Sequence, residues 1–270
     1  MRLGICSYSF NRTLADDAHA AEKFIDLSQR LGCTQLDPWN THLVVVKQGD
    51  ANPAGDALTG EERDYLRHIR QCADQAGLPV GCVAIDGAHI YDDKPESRAR
   101  NRMIAYRWIE AASLLGATQV RIDTGGPTQL TDEVLAVLVE GYTDVIARAR
   151  PRKIQVLVEN HWGVSHVPGN LVRLFEAVPD LGLLFDSFNW AYTQQGIGWL
   201  TCAKYAKATH IKAFQFSDDG EELTQNIGNC IAILQNENFR GPWVVESCPT
   251  HIDETQAVGK TIALIRKYVK

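Results

Sequence analysis

The 270-residue sequence lacks the features that mark membrane, secreted and disulfide-linked proteins. No apolar run approaches the ~20 residues that a membrane-spanning helix needs, and the segment after Met1 contains no signal core. The seven cysteines are odd in number and widely spaced, and no CxxC pair occurs. We therefore expect reduced thiols and a soluble, cytoplasmic protein with no membrane partner.

An overall excess of positive charge is also missing from the sequence. Its 27 Lys and Arg residues are outnumbered by 33 Asp and Glu residues, which gives a formal net charge of −6. Tight non-specific binding to nucleic acids depends on basic side chains that neutralise phosphates. The sequence therefore predicts no nucleic-acid partner.

What the sequence does contain is a regular alternation of short β-branched segments with helical segments. The predicted strands are Arg2–Ser7, Cys33–Asp37, Pro79–Ile85, Gln119–Asp123, Ile154–Glu159, Leu183–Asp186, Thr209–Phe214 and Pro242–Glu246. The predicted helices are Ala18–Leu31, Gly60–Ala76, Ser97–Leu115, Asp132–Ala149, Gly169–Val178, Trp199–Lys207, Ile227–Asn236 and Glu254–Val269. Eight strand–helix units are the number that closes a (β/α)8 barrel, the TIM barrel.

The main alternative is a doubly wound α/β sheet. Such a sheet usually has a glycine-rich phosphate turn after its first strand, whereas the turn here, Ser7–Phe10, reads SYSF. No stretch of low complexity or linker composition divides the chain, so we predict a single (β/α)8 barrel domain over residues 1–270. The longest irregular segment, Pro38–Thr59, is interpreted as an active-site loop.

Four consecutive predicted strands carry side chains of the metal-ligand type. Apolar runs lead into Glu159, Asp186 and Glu246, and His210 lies on the strand between the last two. Taken alone, each acid could be a helix cap and His210 a core histidine. In a parallel barrel, however, the carboxyl ends of the strands meet at one rim, where three carboxylates would repel each other unless a cation neutralised them. The four residues together predict a site for one divalent metal ion.

The donor set also favours certain metals. Three carboxylates and one imidazole suit Mn²⁺, Mg²⁺ or Co²⁺ better than a metal that prefers thiolates. We expect Mn²⁺ first, with Zn²⁺ as a further alternative. A structural zinc site is not indicated, because no Cys–His spacing supports one.

Other polar and aromatic residues near the strand ends are candidates for substrate binding. Lys212 shares one strand face with His210 and could contact a substrate hydroxyl, or equally an acidic neighbour. The tryptophans could stack on a sugar ring or only close the barrel top. The predicted substrate-binding residues are Asp37, Arg121, His161, Trp162, Asn189 and Lys212, with Trp39, Asp123 and Trp190 as weaker candidates.

Several segments resemble a known family. The sequences VENHWG…VPGNLVRL, FDSFNW, THIKAFQFSDDGEE and GPWVVES, within residues 154–248, are similar to the xylose-isomerase-like TIM barrel superfamily. That superfamily includes sugar-phosphate isomerase/epimerase-like proteins, ketose 3-epimerases, inosose dehydratases and endonuclease IV. The resemblance implies a sugar substrate, and related barrels often form homo-oligomers.

The resemblance also implies roles for individual residues. It makes Glu159, Asp186, His210 and Glu246 the metal ligands, and in the ketose epimerase branch the two glutamates also act as the acid/base pair. One position departs from the pattern: several branches have a histidine three residues after the aspartate ligand, and this chain has Asn189. That departure counts against the multi-zinc endonuclease arrangement.

Four functions follow as hypotheses. The first is an isomerase or epimerase of a ketose-like sugar, in which a divalent ion stabilises an enediolate while carboxylates move the proton. The second is a lyase or dehydratase that forms the same enolate on a keto-sugar or keto-cyclitol and expels a hydroxyl. A phosphodiesterase of the endonuclease IV kind is less favoured, and a barrel that only binds ligand is the non-enzyme alternative.

Overall fold

The computed structural model describes residues 1–46, 57–191 and 193–270. Seven parallel strands in this part of the chain form one sheet, in the order β1-β7-β6-β5-β4-β3-β2. They are β1 (Leu3–Ile5), β2 (Cys82–Ile85), β3 (Gln119–Ile122), β4 (Gln155–Glu159), β5 (Gly182–Asp186), β6 (Ala206–Ala213) and β7 (Trp243–Ser247). Since β1 pairs with β7, the sheet curls until its first and last strands meet.

Helices follow the strands along the chain. Those of the described ranges are α1 (Ala20–Arg30), α2 (Gly60–Ala76), α3 (Pro95–Leu115), α4 (Asp132–Ala149), α5 (Pro168–Ala177), α6 (Gln195–Cys202), α7 (Ile227–Asn236) and α8 (Glu254–Tyr268). Local chemistry sets several bounds. Thr59 and Glu62 form a reciprocal capping box at the start of α2, and Gly77 ends that helix in the left-handed region, with φ of 70°.

The predicted second strand, Cys33–Asp37, forms no regular ladder but still closes the ring. The backbone N–H of Asp37 donates to the carbonyl of Ile5 on one side, at 3.2 Å. On the other side, the N–H of Gly81 donates to the carbonyl of Leu36 at 2.8 Å. Isolated parallel bridges join the same segment to both neighbours. The predicted (β/α)8 barrel is therefore confirmed, with one irregular wall between β1 and β2.

Most predicted helix bounds agree with the structure to within two residues, and one prediction is wrong in part. The helix expected at Trp199–Lys207 begins earlier and ends at Cys202. Ala203–Tyr205 then form a 3-10 turn, and β6 begins at Ala206, three residues before the predicted strand. The junction contains no glycine or proline to mark where helix changes to strand.

A small apolar layer fills the barrel below the predicted site. Cys82, Leu157, Leu184 and Ala208 form a buried cluster of their own, separate from the larger core that packs under the helices. Three of them lie two residues before Glu159, Asp186 and His210, respectively. Side chains two apart point to the same face of a strand, so the ligand-type residues form the next layer above this floor.

Two sequence-based expectations about the whole chain can be compared with the structure. All seven cysteines carry free thiols. Among the described helices, none is both long and apolar enough to cross a membrane. The cytoplasmic location stays a prediction.

Candidate metal centre

Glu159, Asp186, His210 and Glu246 meet at one end of the barrel. One donor atom from each of these buried side chains lies within 4.8 Å of the others. Glu159 and Asp186 are the last residues of β4 and β5, while His210 and Glu246 lie inside β6 and β7. The parallel register brings these four strands side by side, and it pairs Asp186 directly with His210. The structure therefore brings the four predicted side chains together at one rim.

Glu159 is held from two sides. Its Oε1 lies 3.0 Å from Nδ1 of His210, and its Oε2 lies 3.1 Å from Nε of Arg121. The same His210 nitrogen lies 3.6 Å from Oε2 of Glu246. Burial works against a charge on His210, but the two glutamates outweigh it and raise the pKa of His210. In this arrangement the imidazole therefore stands between two carboxylates.

Lys212 places a buried ammonium beside the other two carboxylates. Its Nζ lies 2.8 Å from Oε2 of Glu246 and 3.2 Å from Oδ2 of Asp186, and it donates to Oδ1 of Asn189 at 3.1 Å. Burial raises the pKa of Asp186 to about 6 in spite of Lys212. For Glu246 burial is outweighed by Lys212 and His210, which lower the pKa of the carboxyl. The ammonium thus keeps Glu246 ionised.

Arg121 connects the ligand cluster to a second group of acids. Its Nη1 lies 2.8 Å from Oδ1 of Asp86 and 2.9 Å from Oδ2 of Asp123. The same Asp123 oxygen lies 3.1 Å from Nδ1 of His161. Burial disfavours charge on His161, but the Asp123 hydrogen bond and the Glu159 carboxylate raise the pKa of His161 to about 9. His161 is therefore cationic near neutral pH.

The charges of this neighbourhood fit a divalent cation. When His210 is neutral, as a metal ligand must be, five carboxylates face three cationic groups, Arg121, Lys212 and His161, which leaves about two negative charges. The carboxylates are those of Asp86, Asp123, Glu159, Asp186 and Glu246. Oδ2 of Asp186 contacts Nζ of Lys212 at 3.2 Å, and because a carboxylate oxygen has two lone pairs, one stays available for coordination. The donor set and the charge both suit the predicted ion.

Asp123, Glu159 and His161 form a second group of ligand-type atoms within 4.8 Å. Here the guanidinium of Arg121 already contacts both carboxylates, at 2.9 and 3.1 Å. A fixed cation therefore occupies the position between them that a second metal ion would need.

Residues 25–268 match the family model described as the xylose isomerase-like TIM barrel. The chain belongs to this family. No curated protein is similar enough in sequence to count as a match. The solved structures with this fold include a 3-keto-D-glucoside 4-epimerase from E. coli, with a TM-score of 0.75, 14% identity and 99% of both chains covered.

Two further solved structures show the range of this xylose isomerase-like fold. D-allulose 3-epimerase from Methylomonas sp. has a TM-score of 0.77 and 13% identity, and covers 100% of this chain and 98% of its own. The probable 3-DHS dehydratase from Bacillus anthracis has a TM-score of 0.72 and 11% identity, over 98% and 99% of the two chains. At these identities the likeness shows the fold alone.

The remaining predicted substrate-binding residues of this xylose isomerase-like barrel have different surroundings. Trp162 is 42% exposed and contacts the His89 ring edge-on, with centroids 4.7 Å apart. Asn189 faces Lys212, whereas Trp190 is buried against Phe185. These placements keep Trp162 and Asn189 at the rim and set Trp190 behind it.

Asp37 lies deeper in the barrel wall than the ligand cluster. Its Oδ1 accepts from the backbone N–H of Cys82 at 2.8 Å, and the side chain of Gln35 donates to both of its oxygens. A methyl group on Gly4 or Gly81 would meet the Asp37 carboxylate at 2.4 or 2.8 Å, so both positions need glycine. These contacts satisfy the carboxylate within the protein and favour a structural role over substrate binding.

Asp86 is the rim residue that the sequence reasoning missed. It follows β2 directly, accepts from Nε1 of Trp39 at 2.8 Å and lies against Arg121. The signal was present, since Asp86 ends an apolar strand just as Glu159 and Asp186 do. Within the predicted active-site loop Pro38–Thr59, Trp39 thus faces the rim, and residues 47–56 lie outside the described residues.

Proposed function

We propose that this protein is a divalent-metal-dependent isomerase or epimerase of a ketose-like sugar or sugar derivative. The observation that carries the proposal is the convergence of Glu159, Asp186, His210 and Glu246 within 4.8 Å at the carboxyl ends of the strands. Two solved structures of the same fold are named as sugar epimerases, for D-allulose and for 3-keto-D-glucoside. A small-molecule sugar is therefore the proposed partner.

The two glutamates are the proposed acid/base pair. They project from β4 and β7, strands that are not neighbours in the sheet, and both reach His210, at 3.0 and 3.6 Å. Carboxylates on two sides of one space can remove a proton from a substrate carbon and return one from the other side. Glu246 is kept ionised by Lys212, so its carboxylate carries no proton and is the proposed acceptor.

Arg121 and His210 fix the direction of Glu159, because each contacts a different oxygen of its carboxylate. Fixed carboxylates hold a reacting carbon at a constant distance and orientation. A divalent ion held by the four side chains would supply Lewis acidity toward a substrate carbonyl oxygen. We propose Mn²⁺ first, with Mg²⁺, Co²⁺ or Zn²⁺ as alternatives, since oxygen donors dominate the set.

Solvent exchange tests this function. The Mn²⁺-loaded protein is incubated with a panel of ketoses and keto-sugars in heavy water, and products are analysed by mass spectrometry and proton NMR. Deuterium should enter one carbon next to the carbonyl with the wild-type chain and with Gln235→Ala, a control at the opposite end of the barrel. The label should disappear in Glu246→Gln. Undiminished turnover in Glu246→Gln would reject the proposed mechanism.

Dehydration of a keto-sugar is the second candidate, and His161 is the observation that favours it. Its imidazolium is 37% exposed and paired with Asp123, so it can donate a proton to a departing hydroxyl. A probable dehydratase is also among the proteins of this fold. Loss of one water from the product mass, abolished by His161→Gln, would support elimination. Retained mass with deuterium incorporation would support epimerisation.

A further inference from the structure

A separate cavity opens beside Glu246 at the same end of the barrel. It has a volume of about 250 Å³ and is lined by Tyr8, Asn11, Arg12, Ser247, Cys248, Pro249 and Glu254. Ser247 directly follows Glu246 on β7, and Cys248 is the residue after Ser247, so two lining residues are chain neighbours of Glu246. The cavity therefore adjoins the metal centre on the side of β1 and β7.

The lining is polar and held in place. The carboxylate of Glu254, at the start of α8, accepts from the backbone N–H groups of Arg12 and Thr13 and contacts Nε of Arg12 at 3.2 Å. The side chain of Asn11 lines the same cavity as Tyr8. The Tyr8 ring in turn contacts Trp39 edge-on, with centroids 5.1 Å apart. The ring contact and the ion pair hold an aromatic surface and a guanidinium beside one space before any ligand binds.

The chemistry of the lining suits a neutral, hydroxyl-rich group. The charge of Arg12 is compensated by Glu254, so the two together offer hydrogen bonds without a net charge for a phosphate. Tyr8 and Asn11 add hydrogen-bonding groups and an aromatic surface, on which a sugar ring can pack. The volume is roughly that of eight water molecules in the liquid, enough for one pyranose ring.

We infer that the Tyr8–Asn11–Cys248 cavity is a glycosyl subsite, and that the substrate is a ketose or keto-sugar carrying a second sugar unit. The inference rests on the proposed function for the reacting sugar at the metal centre. The inference that the substituent is an uncharged sugar rests on the lining of the cavity and on the position of the cavity next to Glu246.

Ligand-observed NMR on the Mg²⁺-loaded protein tests the subsite with fructose and four glucosyl-fructoses: turanose, maltulose, leucrose and isomaltulose. Their glucosyl units are attached to different oxygens of the same ketose, so one linkage should reach the cavity. At least one disaccharide should bind about tenfold more tightly than fructose, through a few added hydrogen bonds, with saturation transfer to its glucosyl protons. Disaccharides that all bind no better than fructose would overturn the inference.

Two variants probe the cavity in different ways. Asn11→Ala removes a hydrogen-bonding group, and Cys248→Trp fills the space with a large ring. In both, the ratio of disaccharide to fructose affinity should fall toward one, while Gln235→Ala at the opposite end keeps the wild-type ratio. A ratio that is unchanged in Cys248→Trp would also overturn the subsite.

Binding and turnover separate the two proposals. If a disaccharide binds with the expected preference but no deuterium enters any substrate, the subsite stands and the epimerase proposal fails. If fructose alone exchanges deuterium and no disaccharide binds better, the epimerase proposal stands and the subsite fails.

Discussion

Nε of Arg121 lies 3.1 Å from Oε2 of Glu159, and both side chains are almost fully buried in the barrel. The same guanidinium also contacts the carboxylates of Asp86 and Asp123. Its removal would leave buried carboxylates without compensation, which is far more costly than breaking an exposed ion pair.

We therefore expect Arg121→Met to lower the free energy of unfolding by about 3–5 kcal/mol, measured by urea denaturation of the metal-free protein. The matched control is Arg150→Met, which breaks the ion pair between Arg150 and Asp180. Both of these side chains are 68% exposed. That control should cost less than about 1 kcal/mol. Equal losses in the two variants would contradict the charge role assigned to Arg121.

Metal content should depend on each ligand. Glu159→Gln, Asp186→Asn, His210→Ala and Glu246→Gln should each weaken metal binding by at least about tenfold, because each removes one donor from a site of four. Elemental analysis after dialysis against a fixed Mn²⁺ concentration measures the change. Glu222→Gln is the control, since this buried carboxylate caps a turn by accepting from Thr224 and Gln225. Full occupancy in two ligand variants would refute the site.

Lys212 should have opposite effects in the presence and absence of metal. Without metal its ammonium compensates Asp186 and Glu246, so Lys212→Met should lower the free energy of unfolding by about 3–5 kcal/mol. With metal bound, the ammonium repels the ion, so the same variant should bind Mn²⁺ more tightly. Calorimetric titration and urea unfolding in EDTA measure the two effects. Lys267→Met, at the exposed pair with Glu221, should change neither, and weaker Mn²⁺ binding by Lys212→Met would contradict the prediction.

Asp37 should make the protein less stable as pH rises. Burial raises its pKa to about 6 from 3.8, so the folded state binds this proton more tightly than the unfolded state. The resulting stabilisation is complete below pH 3.8 and is lost as pH rises through about 6. The shift of about two units corresponds to about 3 kcal/mol.

Asp37→Asn should therefore unfold at a higher urea concentration than the parent at pH 8, and the advantage should shrink toward pH 4. The difference between the two denaturation midpoints is measured across this range. Asp17→Asn is the control with the opposite sign, because the hydrogen bond from Lys23 lowers the pKa of that exposed carboxyl. A difference that does not vary with pH would show that Asp37 is ionised without penalty.

The sequence predicted those parts of the fold for which local chemistry and long-range packing agree. The bounds of α2 follow from the Thr59 capping box and Gly77, both of which can be read directly from the sequence. The segment Cys33–Asp37 was harder, because Gln35 and Asp37 use their side chains to bond each other within the wall, and Pro38 has no N–H for a ladder. Strand periodicity shows neither interaction.

The clustering of the four candidate ligands was predictable because each acid follows an apolar strand, and a parallel barrel brings such positions together. The sequence could not show which carboxylates Arg121 contacts and which carboxylates Lys212 contacts. Those contacts depend on which way long side chains turn inside the barrel, and strand order alone does not determine that direction. The cavity beside Cys248 could not be predicted from the sequence for the same reason, because its shape depends on side-chain directions.

During synthesis on the ribosome, β1 emerges long before the strand that completes it. Leu3 pairs with Trp243, so this edge of the sheet stays open until β7 has left the exit tunnel. In nascent chains that stop before β7, the backbone groups of β1 would stay unpaired on that side. Chaperones bind such exposed strand edges, and aggregation can start from them. The rim that carries the proposed metal site shares this timing, because Glu246 arrives on that same last strand. This chain therefore gains its fourth proposed ligand and its closed wall in one late step.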